Sequence, residues 1–227
     1  MANLSRGKGF ERNKSHILHT VAEMFMEKGY HRTTLREIAN AANISYGSLI
    51  NIFGTKEGLL TELVEYVVEY QFEFTRGLIG TEKSRDKIFV YSAETVLQLY
   101  LAESNENMRE MYATSYSMPE SASIIYRKVT SALMEAFRDH LPKSTASDFY
   151  ELELAAAGIM RNYILAPCNM YFTMEDKVRA FLRNTLRLYL ISEDKIDEIT
   201  EDISKIDFPA VIPEAMSGLL DYLKTKT

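Results

Sequence analysis

Residues 34–60 read TLREIANAANISYGSLINIFGTKEGLL and hold the starts of three helices. Thr34 and Glu37 have the spacing of a capping box, in which each side chain bonds to the backbone N–H of the other residue. Ser45 and Thr55 are residues of the type that caps a helix N-terminus. The spacing therefore predicts two short helices and a long one, over about 34–42, 45–53 and 55–77.

The two short helices have the composition of a helix-turn-helix. Ala39 supplies the small side chain that a close helix crossing needs, and Asn43 tolerates the left-handed backbone of the turn. The apolar residues that face inward and pack both helices onto the preceding helix are Leu35, Ile38, Ile44, Leu49, Ile52 and Phe53. The second helix then presents its outer face to the major groove of DNA.

Helical periodicity continues along nearly the whole chain, and no alternating strand pattern competes with it. A first helix with Ile17, Val21 and Phe25 on one face stops at Gly29. We expect further helices near 83–104, 106–117, 120–140, 147–166 and 174–192, then an amphipathic segment with Ile196, Ile199, Ile203 and Ile206, and a last helix from Pro213. The predicted fold is all-α. An N-terminal three-helix helix-turn-helix domain, residues 1–56, is joined through the long helix to a larger helical domain, residues 57–227.

The composition is that of an ordinary globular protein of 227 residues, 46% apolar and 26% charged. The single cysteine, Cys168, excludes a disulfide within the chain and a cysteine-based zinc site. Charges run through residues 1–20, which therefore lack the apolar segment of a signal peptide. The longest apolar stretches, such as 154–160, are far shorter than the ~18 residues of a membrane span. A cytoplasmic protein with no membrane partner is the simplest expectation.

The net charge of −6 is unevenly distributed. Residues 1–56 carry eight Lys or Arg and four Asp or Glu, a net charge of +4. Residues 57–227 carry 18 basic and 28 acidic residues, a net charge of −10. This asymmetry favours one region that meets a polyanion and another that does not, with chance clustering of charge as the alternative.

Between Ile17 and Leu60 the sequence resembles the tetracycline-repressor (TetR) family of regulators. The residues that carry the resemblance are Ala22, Phe25, Gly29, Tyr30, Thr33, Thr34, Ile38, Ala39, Ala42, Ile44, Ser45, Gly47, Ser48, Leu49, Phe53 and the run from Lys56 to Leu60. Their order and spacing are much more specific than a bare helix-turn-helix pattern. Beyond Leu60 only the number and layout of the helices resemble the family.

The resemblance implies a homodimeric transcriptional regulator, usually a repressor, that binds a palindromic operator in double-stranded DNA and is released by a small-molecule effector. Residues 45–53 would form the recognition helix, and Gly47 would let its backbone approach the DNA closely. The implied DNA-binding residues are Thr33, Thr34, Arg36, Ser45, Tyr46, Gly47, Ser48, Asn51 and Lys56. A basic N-terminal arm with Arg6, Lys8 and Arg12 either follows the DNA or is a disordered tail.

Two positions depart from the family pattern. The family usually has aromatic residues late in the recognition helix, where this sequence has Ile50 and Ile52. Tyr46 stands where the family often has Lys or Arg, so it offers a ring and a hydroxyl instead of a charge. These departures leave the affinity for DNA and the operator sequence open.

The segment 63–172 is rich in Tyr, Phe and Met, residue types that line ligand pockets. The candidate ligand-binding residues are Tyr70, Tyr100, Met111, Tyr112, Tyr126, Met160, Arg161 and Tyr163. Ordinary core packing stays the alternative for each of them. Arg161, in a mostly apolar helix, is either a pocket charge for an anionic ligand or one partner of an ion pair at an interface.

Two predicted helices offer surfaces for a homodimer. Small residues at 155–158 would let another helix approach closely, and the helix 174–192 carries a wide apolar stripe of Phe181, Leu182, Leu186, Tyr189 and Leu190. A two-fold dimer would place two recognition helices about one DNA turn apart, roughly 34–36 Å.

Other classes of protein find less support. The sequence lacks the GxxxxGK, GxGxxG, HExxH and GxSxG motifs, which disfavours an enzyme. The four histidines, His16, His19, His31 and His140, have no metal-ligand spacing with carboxylates. We therefore expect no catalytic residue, metal or cofactor. A small-molecule carrier with a decayed DNA-binding domain, and an activator or protein-recruiting adaptor on the same fold, stay as alternatives.

Overall fold

The computed structural model describes residues 2–83 and 86–225, with side chains over 14–80 and 86–225. Within these ranges the chain is helical almost throughout, apart from an isolated antiparallel bridge between Asn169 and Phe172, which confirms the predicted all-α fold. The helices are α1 (Ala2–Lys28), α2 (Leu35–Ala41), α3 (Tyr46–Phe53), α4 (Lys56–Lys83), α5 (Lys87–Glu103), α6 (Glu106–Ser117), α7 (Pro119–Phe137), α8 (Ala146–Leu165), α9 (Met174–Leu188), α10 (Glu193–Ser204) and α11 (Phe208–Thr225). No helix in the described part combines the length and apolar character needed to cross a membrane.

The helix-turn-helix has the caps that the sequence predicts. The Thr34 hydroxyl accepts the backbone N–H of Glu37 at 3.3 Å, and the Glu37 carboxylate accepts the backbone N–H of Thr34 at 2.9 Å. Ser45 caps α3 by accepting the N–H of Ser48 at 3.0 Å. Asn43, in the turn between α2 and α3, has φ 52° and so adopts the expected left-handed conformation.

The end of α1 is also where the sequence predicts it. Gly29 has φ 91° and donates its N–H to the carbonyl of Phe25 at 3.0 Å. Glycine reaches this conformation without steric cost, so the chain leaves α1 and turns into α2. The three helices then enclose a small core that contains Val21, Phe25, Ile38 and Leu49.

α4 runs without a linker from the helix-turn-helix into the rest of the fold. The Thr55 hydroxyl caps it by accepting the N–H of Gly58 at 3.1 Å. Its regular backbone ends at Gly80, where φ is 76°, slightly beyond the predicted end at Gly77. α4 packs against α1, α3, α5, α7 and α11. Because one rigid helix belongs to both halves of the fold, a displacement of either half is transmitted to the other.

Three of the later helices are shorter than predicted. α5 begins at Lys87 because the Asp86 carboxylate accepts the N–H groups of Ile88 and Phe89, each at 3.1 Å. α7 ends at Phe137. α9 ends at Leu188 and is followed closely by Leu190 at φ 58°, a conformation that stops a helix. These differences move boundaries by a few residues and leave the element order unchanged.

α11 begins at Phe208, whereas the sequence predicts a start at Pro213. The Asp207 carboxylate accepts the N–H of Ala210 at 3.2 Å and supplies a cap that the prediction missed. Pro209 lies in the first turn, where a missing N–H costs no helical hydrogen bond. Pro213 follows four residues later, so the carbonyl deprived of a helical partner is that of Pro209.

α11 returns to the N-terminal end of the molecule and packs against α1. The Ser15 hydroxyl donates to the carbonyl of Leu223. One hydrophobic core extends from Ile17 to Leu223. The predicted boundary after Lys56 therefore falls within a continuous core, and the division into 1–56 and 57–227 stays a prediction about function.

Gly58 sets how closely α3 and α4 approach. A Cβ atom at this position would overlap the backbone carbonyl of Phe53, the last residue of α3. Backbone atoms cannot rotate away as a side chain can, so α3 would have to move. Gly77, further along α4, has open space around its Cα.

We expect Gly58→Ala to lower the free energy of unfolding by about 1–3 kcal/mol, because the added methyl forces α3 away from α4. The matched variant Gly77→Ala should raise it by about 0.5–1 kcal/mol through helix propensity. Urea unfolding followed by circular dichroism measures both. Equal effects of the two variants would contradict the close packing at Gly58.

Candidate functional site

The start of α3 forms an exposed polar surface. Ser45, Tyr46, Gly47, Ser48 and Asn51 are all solvent-exposed, with Tyr46 at 48%. The opposite face of the helix buries Leu49 and Phe53. Five of the nine predicted DNA-binding residues therefore share one accessible surface at a helix N-terminus, where backbone N–H groups favour anions.

The polar side chains of this surface are partly pre-arranged. The hydroxyls of Ser45 and Ser48 lie 2.8 Å apart and are hydrogen-bonded to each other. Ile50 and Ile52, the two departures from the family pattern, are half-buried, and Ile52 packs against the core. Ile52 thus serves the packing of α3, which explains an apolar residue at this position.

Thr33 does not join this surface. It is fully buried, and its hydroxyl donates to the carbonyl of Gly29 at 2.8 Å. The prediction that Thr33 contacts DNA is corrected, since its side chain holds the turn between α1 and α2. Thr34 is exposed, but its hydroxyl is engaged with Glu37 in the capping box, whereas Arg36 is exposed beside it.

Glu37 is held in its charged form at the start of α2. Its carboxylate bonds to the Lys28 ammonium and to the hydroxyl and N–H of Thr34. These contacts, led by the Lys28 ammonium, lower the pKa of Glu37 to about 2. The cap therefore persists at every pH near neutrality.

Lys56 lies at the start of α4 with its ammonium directed along the protein surface. Its Nζ is 4.2 Å from the centre of the Tyr30 ring and 3.4 Å from the carbonyl oxygen of His31. Partial burial lowers the pKa of Lys56 from its usual value. The ring and the carbonyl orient the charge beside the α1–α2 turn. The arm residues Arg6, Lys8 and Arg12 lie outside the described side chains.

α6 is attached to the turn between α1 and α2. The amide nitrogen of Asn107 donates to the carbonyls of Met26 at 3.0 Å and Glu27 at 2.8 Å, and its amide oxygen accepts from Arg32 at 2.5 Å. The Glu110 carboxylate accepts the backbone N–H of His31 at 2.5 Å. The N-terminal part of α6 therefore holds the entrance to the helix-turn-helix.

The other end of α6 lines an internal cavity of about 20 Å³ that lies among α5, α6, α8 and the end of α9. Its walls include Tyr91, Gln98, Tyr116, Glu153, Met160 and Tyr189. A neighbouring cavity of similar volume lies between α4, α5 and α6, with Gln71, Gln98, Met111 and Tyr112 in its walls. Gln98 lines both, so the two cavities adjoin.

The predicted ligand-binding residues divide between these cavities and other places. Met160 lines the first cavity, whereas Met111 and Tyr112 line the second. Tyr70 packs on α11, where a Cβ at Gly218 would overlap its hydroxyl, and Tyr100 stacks on Phe208 at 5.0 Å. The remaining three lie toward the surface: Tyr126 against Tyr150, Tyr163 bonded to Asn184, and Arg161 bonded to Ser117 at 2.9 Å.

Arg161 is not among the residues that line the two cavities. It is half-buried at the surface of α8, and its guanidinium Nε donates to the hydroxyl of Ser117 on α6. This placement does not support the interpretation of Arg161 as a pocket charge for an anionic ligand.

Sequence reasoning missed a buried polar cluster beside the first cavity. The Glu94 carboxylate accepts from the Gln98 amide at 2.6 Å, and the Gln98 oxygen accepts from the Tyr116 hydroxyl at 2.8 Å. Glu153 is 2% exposed and lines the cavity wall. The available signal was a glutamate within each of two largely apolar helices, α5 and α8.

The predicted apolar stripe of α9 is not available to a second copy of the chain. Phe181, Leu182, Leu186 and Tyr189 are buried within the protomer, and of the predicted stripe only Leu190 is exposed. The stripe belongs to the core because α9 packs against α5, α8 and α10. Exposed residues instead follow one face of α8: Tyr150, Leu154, Gly158 and Leu165.

Comparison with known proteins gives consistent results. Residues 17–63 match the family described as bacterial regulatory proteins, tetR family. The chain is 38% identical over 215 residues to YuxN of Bacillus subtilis, an uncharacterized HTH-type transcriptional regulator, with 91% of this chain and 70% of YuxN covered. It is 23% identical to YerO of B. subtilis, also an uncharacterized HTH-type transcriptional regulator, with 93% and 82% covered. It is 25% identical to IcaR of Staphylococcus aureus, the biofilm operon icaADBC HTH-type negative transcriptional regulator, with 62% and 78% covered.

We expect Asn107→Ala to loosen the turn between α1 and α2, because it removes three hydrogen bonds that anchor α6 there. Stability should fall by about 1–3 kcal/mol, and amide hydrogen exchange over residues 26–33 should become faster. Hydrogen-exchange mass spectrometry measures the change. Glu106→Ala, at an exposed position of the same helix turn, is the control and should leave the exchange unchanged. Slow exchange in both variants would show that α6 does not anchor the turn.

Proposed function

Because the chain belongs to the TetR family of bacterial regulatory proteins and is thus a DNA-binding transcriptional regulator, we propose that it is a repressor released by a small-molecule effector. It binds a palindromic operator as a homodimer. The observation that carries the proposal is the exposed polar start of α3, a helix whose opposite face is anchored in the core. The relatives named above are regulators, and their names point to no enzymatic activity.

The proposed contacts divide by chemistry. Tyr46, Gly47, Ser48 and Asn51 would read base edges in the major groove, where hydroxyl and amide groups discriminate between bases. The exposed Arg36 and the oriented Lys56 would contact phosphates, with the hydroxyls of Ser45 and Thr34 near the backbone. The net charge of +4 on residues 1–56 supports binding to a polyanion.

Repression is supported by one relative in particular. IcaR is named as a negative transcriptional regulator. A dimer bound across a promoter would exclude the transcription machinery, so the simplest action of this chain is repression.

Effector release would use the two ends of α6. Its middle and C-terminal part lines the internal cavities through Met111, Tyr112 and Tyr116, and its N-terminal part holds the α1–α2 turn through Asn107. A ligand that favours a displaced α6 would therefore shift the helix-turn-helix away from its DNA-binding position. On this proposal residues 1–56 bind DNA and residues 57–227 bind the effector and form the dimer.

The dimer interface is proposed on the exposed face of α8. Leu154 and Tyr150 are exposed at 42% and 43%, and Gly158 on the same face lets a second helix approach closely. The occupant is a second copy of the chain, because a palindromic operator requires two recognition helices related by a two-fold axis.

Operator binding can be tested by incubating the protein with fragments of its own genome and titrating the best-bound fragment at several salt concentrations. We expect a short palindrome with two protomers bound and an affinity that falls steeply with salt. Tyr46→Ala should weaken binding by about ten- to a hundredfold and relax the sequence preference.

Arg36→Gln should weaken binding to all sequences and reduce the salt slope by about 1, as loss of one phosphate contact predicts. Arg138→Gln, at an exposed position at the end of α7, is the matched control and should change neither quantity. Absence of binding to any fragment at low salt would refute the proposal and favour the carrier alternative.

Leu154→Glu should convert the dimer into a monomer, because two-fold pairing would bury the two new carboxylates in an apolar interface. Size-exclusion chromatography with light scattering gives the mass. Leu190→Glu places the same charge on the exposed end of α9, where the side chain is 72% exposed, and should remain dimeric. The reverse result would move the interface from α8 to the end of α9.

A further inference from the structure

Two carboxyl groups lie in the core of the molecule without a cation. Glu94 on α5 is fully buried, and one of its oxygens, Oε2, has no hydrogen-bond partner among the described residues. Glu153 on α8 is 2% exposed, lines the first cavity, and has no hydrogen bond or ion pair with any described residue. Each group interacts with the other, so the two lie on the same side of the cavity region.

Such a pair is costly unless something compensates for it. An ionised carboxylate in an apolar interior loses several kcal/mol of hydration, and a second carboxylate beside it adds repulsion. Burial raises the pKa of Glu94 to about 8, and burial together with the charge of Glu94 raises the pKa of Glu153 well above its usual range. Both groups therefore hold their protons at neutral pH as long as no cation is present.

No internal cation is available to the pair. The titratable groups that face it are tyrosines from three sides: Tyr91 of α5, Tyr112 and Tyr116 of α6, and Tyr189 after α9. Burial raises the pKa of each of these hydroxyls, so they stay neutral. Within the described residues, the fully buried Lys177 is paired with Glu103 instead.

The tyrosine rings add a second feature that suits a cation. Tyr91, Tyr116 and Tyr189 all line the cavity, and the rings of Tyr91 and Tyr189 meet edge to face at 5.9 Å between centres. The face of an aromatic ring attracts a cation, most strongly where water is excluded. Carboxylates and ring faces together are the chemistry that recognises an organic ammonium ion.

We propose that the cavity between α5, α6, α8 and α9 binds an organic monocation, an amine or quaternary ammonium ion with apolar substituents, through Glu94, Glu153 and the surrounding tyrosine rings. The inference rests on the proposed function, since it names the chemical class of the effector. A neutral ligand would leave both carboxyl groups unused, and an anion would be repelled by them.

The size of the cavity links cation binding to movement. Its volume of about 20 Å³ holds about one water molecule, so an organic cation must displace the walls. Met160 can adopt other rotamers, and the small side chains of Ala156 and Ala157 line the α8 side. The opposite wall includes Tyr116 of α6, the helix that also holds the α1–α2 turn. Ligand entry therefore acts on the helix that positions the DNA-binding unit.

The proposal can be tested with three monocations of increasing size: tetramethylammonium, benzyltrimethylammonium and rhodamine 6G. Binding to the full chain is measured by thermal shift and isothermal titration calorimetry, without DNA. Neopentylbenzene is the neutral isostere of benzyltrimethylammonium, and benzylsulfonate is an anion of similar size. We expect at least one cation to bind and to raise the melting temperature, and we expect neither the isostere nor the anion to do so.

Glu153→Gln and Glu94→Gln keep the side-chain shape and remove the charge, so both variants should fold. Each should weaken cation binding by about tenfold or more, because the bound cation loses a desolvated counter-charge. Glu151→Gln is the matched control, an exposed glutamate on the same helix as Glu153, and should leave the affinity unchanged. Equal cation affinity in the wild type and in the Glu94→Gln/Glu153→Gln double variant would overturn the proposal.

The pH dependence supplies an independent readout. A cation must displace a proton from the pair, so its affinity should rise between about pH 6 and pH 8, by up to about tenfold per pH unit for one proton released. The glutamine double variant should lose this rise. An affinity that does not change with pH, or no binding of any of the three cations, would overturn the proposal.

Operator binding by the same preparations keeps this inference separate from the proposed function. A protein that binds its operator but none of the cations contradicts only the assignment of the ligand. A protein that binds a cation through Glu153 but no DNA contradicts only the proposed repressor function.

Discussion

The close packing of α4 on α3 is the constraint on which the rest of the structure depends. Gly58 lies against the backbone carbonyl of Phe53, so the end of α3 and the start of α4 are held at one distance. The same α4 then forms a wall of the second cavity through Leu63 and Gln71. A single helix thus connects an exposed polar surface to a buried ligand region, and no flexible linker can absorb a movement between them.

α6 provides the second connection, and it is of a different kind. Its contacts with the α1–α2 turn are hydrogen bonds from Asn107 and Glu110 to backbone groups, whereas its other end contributes Tyr112 and Tyr116 to the interior. Hydrogen bonds to backbone groups are directional, so a small shift of α6 changes them more than it changes the apolar packing. The buried carboxyls of Glu94 and Glu153 lie beside this interior, where hydrophobic residues of similar size would be less costly. A fold that retains them has a use for them, and cation recognition is the use that fits their surroundings.

Local signals in the sequence were reliable because their physics is local. The capping box of Thr34 and Glu37, the Ser45 cap and the left-handed Asn43 each depend on residues a few positions apart, and each is present in the structure. Side-chain direction was less predictable. Thr33 neighbours the exposed Thr34 but is fully buried, and the apolar stripe of α9 faces the protomer core and not a second copy. In both cases the residue type was compatible with either side, and only the neighbouring helices decided which side it faced.

The sequence by itself determined the all-α fold, the helix-turn-helix and the basic character of the N-terminal region, since these follow from periodicity, caps and composition. The tertiary structure alone decided which aromatic residues surround a cavity, and it brought Glu94 and Glu153 together from two helices that are far apart in the chain. Helical spacing shows that a residue faces the interior, but it does not show what lies opposite. A buried glutamate becomes a binding site only when another helix supplies a second charge and the rings around it, and that arrangement is set by the packing of α5, α6, α8 and α9.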